Sequence, residues 1–349
     1  MRNSILTEPT FFHSEEALVK APLGLPRPVS IAFVDGRVYA LWKNLIDTLT
    51  RQVPLFTLSG EEENKTLPTA RWIWKKLWQY EIDRGQVILL IGGGTLLDMG
   101  GFCASVWKRG TPFISIPTTL VAQMDAAIGG KTGINFRSGK NILGSFAQPT
   151  AIWIWEGFLK TLPPRILKAG WVEGYKHALL YGEELLRKVE VCSFTQPPSS
   201  DLLRQLVEVK WHIVQQDPYE SQGLRQALNL GHTLGHVWET LSLRTEAPLL
   251  HGEAIAIGLW QEIYLSTQLY GTSSTILDRL TDKLRREKLL IPLPPHTRAL
   301  WEKLLLQDKK RRSGQLYLPL LREVGQVELQ PVEIKYLWQA VQAYREMVE

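Results

Sequence analysis

Only two cysteines, Cys103 and Cys192, occur in 349 residues, and they stand far apart with no C-x-x-C pair. This excludes a disulfide framework and a cysteine-rich zinc site, and it fits a chain kept in a reducing cytoplasm. Long apolar runs are lacking as well. Nothing approaches the roughly 18 uninterrupted apolar residues of a membrane span, and the opening residues, MRNSILTEPTFFHSEE, have no apolar core. A soluble, unsecreted, cytoplasmic protein without membrane contact is expected. Nor is there a strong excess of one charge. The formal +5 comes from 40 Lys and Arg against 35 Asp and Glu, scattered along the chain, so nucleic acid is not required and a small anionic substrate suits the balance. The runs KLRREK and DKKRRSG read as solvated faces. Histidine is scarce, at seven residues, and H-E-x-x-H, the usual zinc-protease signature, is absent. No internal repeat is visible.

What is present is an ordinary globular composition. With 44% hydrophobic residues the chain can build sizeable cores, and its length suits two domains. The thirteen tryptophans are dispersed through helix-like segments, where they pack. From Pro28 to about Pro117 short apolar runs alternate with helix-like stretches: VSIAFV, VPLFTL, QVILLIGG and PFISIP, with Leu67 to Tyr80 and LLDMGGFCASVW among the segments between them. That alternation predicts an α/β domain, a doubly wound, Rossmann-like parallel sheet covered by helices. After Thr150 strand signals fade and amphipathic helical patterns take over, so residues 1–150 are expected to form the α/β domain and 151–349 an all-α domain. FTQPPSS and IPLPPH read as loops between helices.

The chemistry-bearing residues fall in three places. Asp35 ends the first apolar run, where a carboxylate can take ribose hydroxyls and can equally serve as a turn or cap residue. Val87 to Ile91 reads as a buried strand, followed by Gly92, Gly93 and Gly94 and a helix carrying Asp98. The run is not G-x-G-x-x-G, yet three glycines before a helix N-terminus let backbone approach a pyrophosphate. The next strand ends at Pro117 with Thr118 and Thr119, at the sheet edge where ligands bind. Secondly, QMDAAIGGKTGINFRSGKN places Asp125, Lys131, Lys140 and Asn141 in a glycine-rich loop that offers amides and ammonium groups to an oxyanion. Glu173 and Lys176 sit three apart on one helix face, by default a weak surface pair.

The third place is GLRQALNLGHTLGHVWETLSLRTEAPLLHGEAIAIG, from Gly223 to Gly258. On a helix Arg225, Asn229, His232 and His236 share one stripe among apolar neighbours, and unpaired burial there would cost several kcal/mol. Two histidines four apart can hold one divalent ion, and His251 brings a third imidazole within reach.

Taken together these stretches resemble the 3-dehydroquinate synthase family of sugar phosphate cyclases, from about Asp35 to the DKK segment that starts at Asp308. The likeness rests on IGGGTLLDMGGF, RGTPFISIPTTLVAQMDAAIGGKTGIN, SGKNILGSF, FLKTLP, GLRQALNLGHTLGHVWE and LHGEAIAIG, in the family's order. It implies NAD and zinc or cobalt as cofactors, a homodimer, and conversion of 3-deoxy-D-arabino-heptulosonate 7-phosphate to 3-dehydroquinate and phosphate. By resemblance Glu173, His232 and His251 hold the metal, which gives His236 to substrate or proton transfer rather than to the ion. NAD contacts carry over to Asp35, Glu62, Lys65, Gly93, Gly94, Thr95, Asp98, Thr118, Thr119, Phe158, Thr161 and Leu162. Thr95 stands where the family often has an apolar residue, so its backbone is the expected contact. Substrate contacts carry over to Asp125, Lys131, Lys140, Asn141, Lys176, Lys210, Arg225, Asn229, His236 and one of Lys309 and Lys310. Arg109 matches an arginine that reaches the phosphate across the dimer interface. The sequence departs from the family at Trp155 and Ile166, where acidic residues are common, and by one residue inserted between Asp217 and Arg225. The rivals are a related cyclase, a metal-dependent polyol or glycerol-phosphate dehydrogenase, and a non-catalytic relative. The lysines of GGKTGIN and SGKN argue against a simple alcohol substrate.

Overall fold

The computed structural model describes residues 6–51, 53–137, 139–307, 311–312 and 315–349. The chain divides into two compact units, one reaching to Pro163 and taking in Ser199–Val207, the other made of Pro164–Pro198 and Glu208–Glu349.

The first unit contains strands β1 (Pro9–Phe12), β2 (Val29–Asp35), β3 (Leu55–Leu58), β4 (Val87–Gly92), β5 (Phe113–Pro117), β6 (Lys131–Phe136), β7 (Gly139–Phe146) and β8 (Ala151–Trp155). Its helices are α1 (Glu15–Lys20), α2 (Gly36–Leu41), α3 (Lys43–Leu49), α4 (Leu67–Gln79) and α5 (Gly94–Val106). Six strands form one sheet in the order β1-β8-β5-β4-β2-β3, every pair parallel. The central strand β4, VILLIG, is buried along its whole length, as a strand covered on both faces must be. The four apolar runs expected to be strands are β2 to β5. The sheet also takes β8, which lies past the boundary expected at Thr150; the backbone N–H of Thr150 donates to Phe113 O at 2.7 Å and leads β8 in beside β5. Its sequence, AIWIW, is short and rich in tryptophan, a residue attributed above to helices. Edge strand β1 gave no signal at all, since PTFF is four residues long. The glycine-rich stretch expected as a loop is instead the antiparallel hairpin of β6 and β7.

The second unit is mostly helical. It holds α6 (Pro164–Tyr181), α7 (Glu183–Glu190), α8 (Ser200–Gln216, with its first turns in the other unit), α9 (His232–Ser242), α10 (His251–Tyr270), α11 (Ser274–Arg286), α12 (Arg298–Gln307) and α13 (Ile334–Val348). Helix α10 is buried without interruption from Gly252 to Ile263, the pattern of a helix enclosed by others; α6, α9, α11 and α13 pack around it. To the expected helices the structure adds a small antiparallel sheet of β9 (Arg311–Arg312), β10 (Gln315–Glu323) and β11 (Gln326–Val332). In β10 Leu316, Leu318, Leu320 and Leu321 are all buried, so no clean alternation marks the strand, and the turn to β11 passes through Gly325, whose φ is +92°. Two helix approaches fix the core. A Cβ at Gly252 would lie 1.9 Å from the carbonyl oxygen of Ala169 on α6, and one at Gly258 would lie 2.0 Å from that of Gly231. Only glycine permits backbones so close.

Candidate active site

In the first unit the expected cofactor residues gather where β4 and β5 end. Gly93 stands before the first residue of α5, and a Cβ there would meet only the side-chain tip of Thr119, at 3.2 Å. Thr118 N–H donates to Gly92 O at 3.0 Å and ties the two strand ends. Asp35 acts as a cap: its Oδ1 accepts from the N–H groups of Arg37 and Val38, at 2.8 and 3.3 Å, at the start of α2. Lys65, almost wholly buried, donates to Asp98 Oδ2 at 2.6 Å. Thr95 does more than offer its backbone, because its hydroxyl donates to Glu62 Oε2 at 3.0 Å. Asn135, which the sequence reading did not single out, joins these groups. Its Nδ2 donates to Glu62 Oε1 at 2.9 Å, its backbone N–H to Lys65 O at 2.8 Å, and its Oδ1 accepts from Asn141 N–H at 2.9 Å. Thr161 accepts from the indole N–H of Trp42 at 2.9 Å, and the Trp42 ring stands edge-on to Phe158 and Trp155. Leu162 follows this turn.

The lysines expected on one loop are separated by the hairpin. Lys131 opens β6 opposite Phe146, while Lys140 lies beside the turn where Phe136 pairs with Gly139. At strand rise the two are about 15 Å apart. Both are exposed, and Asp125 is half-buried. Arg109 is exposed on a loop in which Lys108, Arg109 and Gly110 have φ of +48°, +65° and +114°. Two successive non-glycine residues in this region store backbone strain.

The second unit contains a polar cluster able to hold a metal ion. One carboxylate oxygen of Glu173 on α6 and one ring nitrogen each of His232 on α9 and His251 on α10 all lie within 4.8 Å of one another. Glu173 Oε1 is 3.5 Å from His232 Nε2 and 3.4 Å from His251 Nε2. Its other oxygen pairs with Lys176 at 2.5 Å, and the lysine side chain is only 1% exposed. The weak surface pair expected from the spacing is therefore a buried one, and losing one partner of such a pair costs about 3–5 kcal/mol. His232 Nδ1 lies 3.2 Å from Leu230 O; donation there leaves Nε2 as a lone-pair donor facing Glu173. His251 Nδ1 lies 3.5 Å from Glu239 Oε1, which orients the ring as a carboxylate behind a ligating histidine does. Glu239 was missed, although it stands three residues after His236 in the quoted GHVWE.

The two histidines are pushed in opposite directions. Burial, with Lys176 nearby, holds His232 well below the usual histidine range. At His251 burial also opposes charge, but hydrogen bonds to Glu173 and Glu239 outweigh it and push the ring up to about 10. Two ring nitrogens and one carboxylate oxygen within 4.8 Å of one another fit a divalent ion held by two nitrogens and one oxygen. His236 is edge-on to His232, with centroids 5.3 Å apart, and is not among the buried residues of α9. Arg225 is buried and donates to Pro218 O at 2.8 Å, while Asp217 accepts from the N–H groups of Ser221, Gln222 and Arg225. This cap closes the loop that holds the extra residue. Lys210 is buried and Asn229 half-buried. Lys309 and Lys310 lie outside the described residues.

Family models agree with this layout. The 3-dehydroquinate synthase N-terminal model matches residues 55–169 and the corresponding C-terminal model residues 170–311. The chain belongs to the 3-dehydroquinate synthase family. A 3-dehydroquinate synthase of Methylacidiphilum infernorum is 36% identical over 313 residues, which cover 87% of this chain and 84% of that one. One from Parabacteroides distasonis is 36% identical over 304 residues, 85% of each chain. Among solved structures, a 2-epi-5-epi-valiolone synthase from Streptomyces hygroscopicus, with NAD+ and Zn2+ bound, superposes with a TM-score of 0.84 at 27% identity, covering 99% of this chain and 100% of that one. A glycerol dehydrogenase of Schizosaccharomyces pombe, at TM-score 0.62 and 16% identity over 100% of this chain and 92% of that one, shares the fold alone.

Proposed function

We propose that this family member converts 3-deoxy-D-arabino-heptulosonate 7-phosphate to 3-dehydroquinate and phosphate, through transient oxidation, phosphate elimination, reduction, ring opening and aldol closure. The carrying observation is the cluster of Glu173, His232 and His251 with Lys176 buried against it, in a chain matched along most of its length by the two family models. Glu173, His232 and His251 would hold one zinc or cobalt ion; three protein ligands leave a position open for substrate. When bound, such an ion supplies Lewis-acid polarisation of a hydroxyl and of the carbonyl made from it, and NAD supplies a hydride acceptor that returns what it takes.

The chain's own groups position and stabilise. The turn at Gly93 and Gly94, with Thr118 and Thr119, would receive the cofactor's pyrophosphate, while the network of Glu62, Lys65, Thr95 and Asp98 holds the neighbouring wall in place. Lys140 stands next to Asn141, whose N–H donates to Asn135 Oδ1 in that network, which supports a role for Lys140 toward the cofactor end. Lys131, Lys176, Lys210 and Arg225 supply cations for carboxylate and phosphate, Asp125 and Asn229 position hydroxyls, and His236 moves protons. The leaving phosphate itself can accept the proton lost beside the new carbonyl. The first unit is assigned to NAD, the second to metal and substrate.

A homodimer is part of the reading, since Arg109 sits exposed on a strained loop, as a residue serving a neighbouring subunit would. Mixing Arg109→Ala and His251→Ala should restore part of the activity; no recovery after proven subunit exchange removes the assignment of Arg109 to a neighbouring subunit's site, and a monomer with no exchange removes the dimer. The pair of separated cysteines accords with a cytoplasmic location, and no described helix is long and apolar enough to cross a membrane. The main test couples phosphate release from the heptulosonate phosphate to absorbance of NADH. Stoichiometric phosphate with no net NADH is expected; net NADH would indicate a polyol dehydrogenase, and a different cyclised product a related cyclase.

A further inference from the structure

Helix α10 carries a second buried carboxylate, Glu262, three turns beyond His251, with no exposed surface. Glu262 Oε2 accepts from the backbone N–H of Gly231 at 2.6 Å, and Oε1 accepts from that of Leu234 at 3.4 Å. These amides open α9, the helix whose first residue is His232. The first N–H groups of any helix have no partner within it and carry the positive end of its dipole. In most helices a local Ser, Thr, Asp or Asn satisfies them, but the residue before His232 is Gly231, at φ +79°, which has no side chain to offer. The capping group instead comes from the helix that bears the other histidine.

The geometry around this tie leaves it in control of His232. Backbones of α9 and α10 touch at Gly231, Gly235 and Gly258, so no interposed side chains set the rotation of the start of α9. At the other end of the cluster Arg165 on α6 makes two 2.7 Å hydrogen bonds to Glu253 on α10, whose Oε2 also accepts from Leu250 N–H just before His251. Helices α6 and α9 are thus each fastened to α10 by one of its carboxylates, α6 through Glu253 beside His251 and α9 through Glu262 at His232.

We propose that Glu262 is a positioning residue for the metal site: by holding the N-terminal amides of α9 it fixes His232 relative to His251 and so sets the affinity for a divalent ion. This rests on the metal reading given above. Glu262→Gln keeps the shape but puts an NH2 group, a donor, against one of two N–H donors.

The test measures zinc affinity by chelator competition on purified wild type and variant, together with melting temperature with and without zinc. Glu262→Gln should raise the zinc Kd roughly 10- to 100-fold, the usual effect of losing a group that orients a ligand. The rise in Tm on adding zinc should shrink accordingly. A structural cap alone would lower both melting temperatures equally and leave the zinc Kd unchanged, and that result overturns the proposal. If Glu262→Gln does not fold, Glu262→Asp carries the same test, because it keeps the charge and shortens the reach; unaltered zinc affinity in it is equally fatal. Wild type that takes up no zinc, or His251→Ala that binds it as well as wild type, refutes the metal reading first.

Discussion

Glycines at two places, one in each unit, serve opposite purposes, and the difference shows how each place is built. At the sheet edge of the first unit, Gly93 leaves room: the nearest atom to an added Cβ is a threonine methyl at 3.2 Å, which can turn aside. In the second unit Gly252 and Gly258 leave none, since an added Cβ would strike backbone oxygens at 1.9 and 2.0 Å. The first unit leaves its Gly93 turn open to a small added group. The second closes helices on one another until a glutamate and two histidines from three helices converge. A site of the first kind tolerates local change in folding terms, whereas one of the second kind depends on the packing of the whole unit.

The sharpest way to break the contrast is to put alanine at both kinds of glycine. Gly258→Ala should cost more than about 3 kcal/mol, at or above the upper end of overpacking penalties, read as a lower midpoint in denaturant unfolding, with metal content falling in parallel. A normal midpoint would show that the helices can part. His251→Ala comes next: a folded protein without stoichiometric metal and without turnover is expected, checked by metal analysis. Lys131→Ala probes the exposed side of the first unit, where about 2–4 kcal/mol of transition-state stabilisation should be lost with NAD titration unchanged. Undiminished phosphate release would remove Lys131 from the substrate, and a selective loss of NAD binding would move it to the cofactor. Glu239→Gln, behind His251, should weaken metal binding 10- to 100-fold, or about 1.4–2.7 kcal/mol, seen in chelator competition. Smallest in folding terms is Gly93→Ala, expected to change stability by less than about 1 kcal/mol while weakening NAD at least about tenfold; equal losses in both would erase the distinction between the units.

Much of this was legible in the residues. The apolar runs of β2 to β5 could be read because a strand covered on both faces must be apolar throughout. The histidine-bearing stretch could be read because helical spacing puts His232 and His236 on one face, and the resemblance moved the metal from that pair to Glu173, His232 and His251. Spacing did mislead about Lys176, since i, i+3 proximity says nothing of depth, and the pair with Glu173 proved fully buried. The hairpin of β6 and β7 was hidden by its glycines, which resemble a loop in sequence yet pair in register.

The sequence by itself determined the alternating sheet, the helical remainder, the family and the residue types able to hold an ion, because periodicity and motif order are properties of neighbours along the chain. Tertiary structure alone decided that β1 and β8 complete the sheet, that Asn135 links Glu62, Lys65 and Asn141, and that Glu239 and Glu262 stand behind His251 and His232. A carboxylate on one helix gains such a role only from the amides and rings of another, and no local pattern records which helix will arrive beside it.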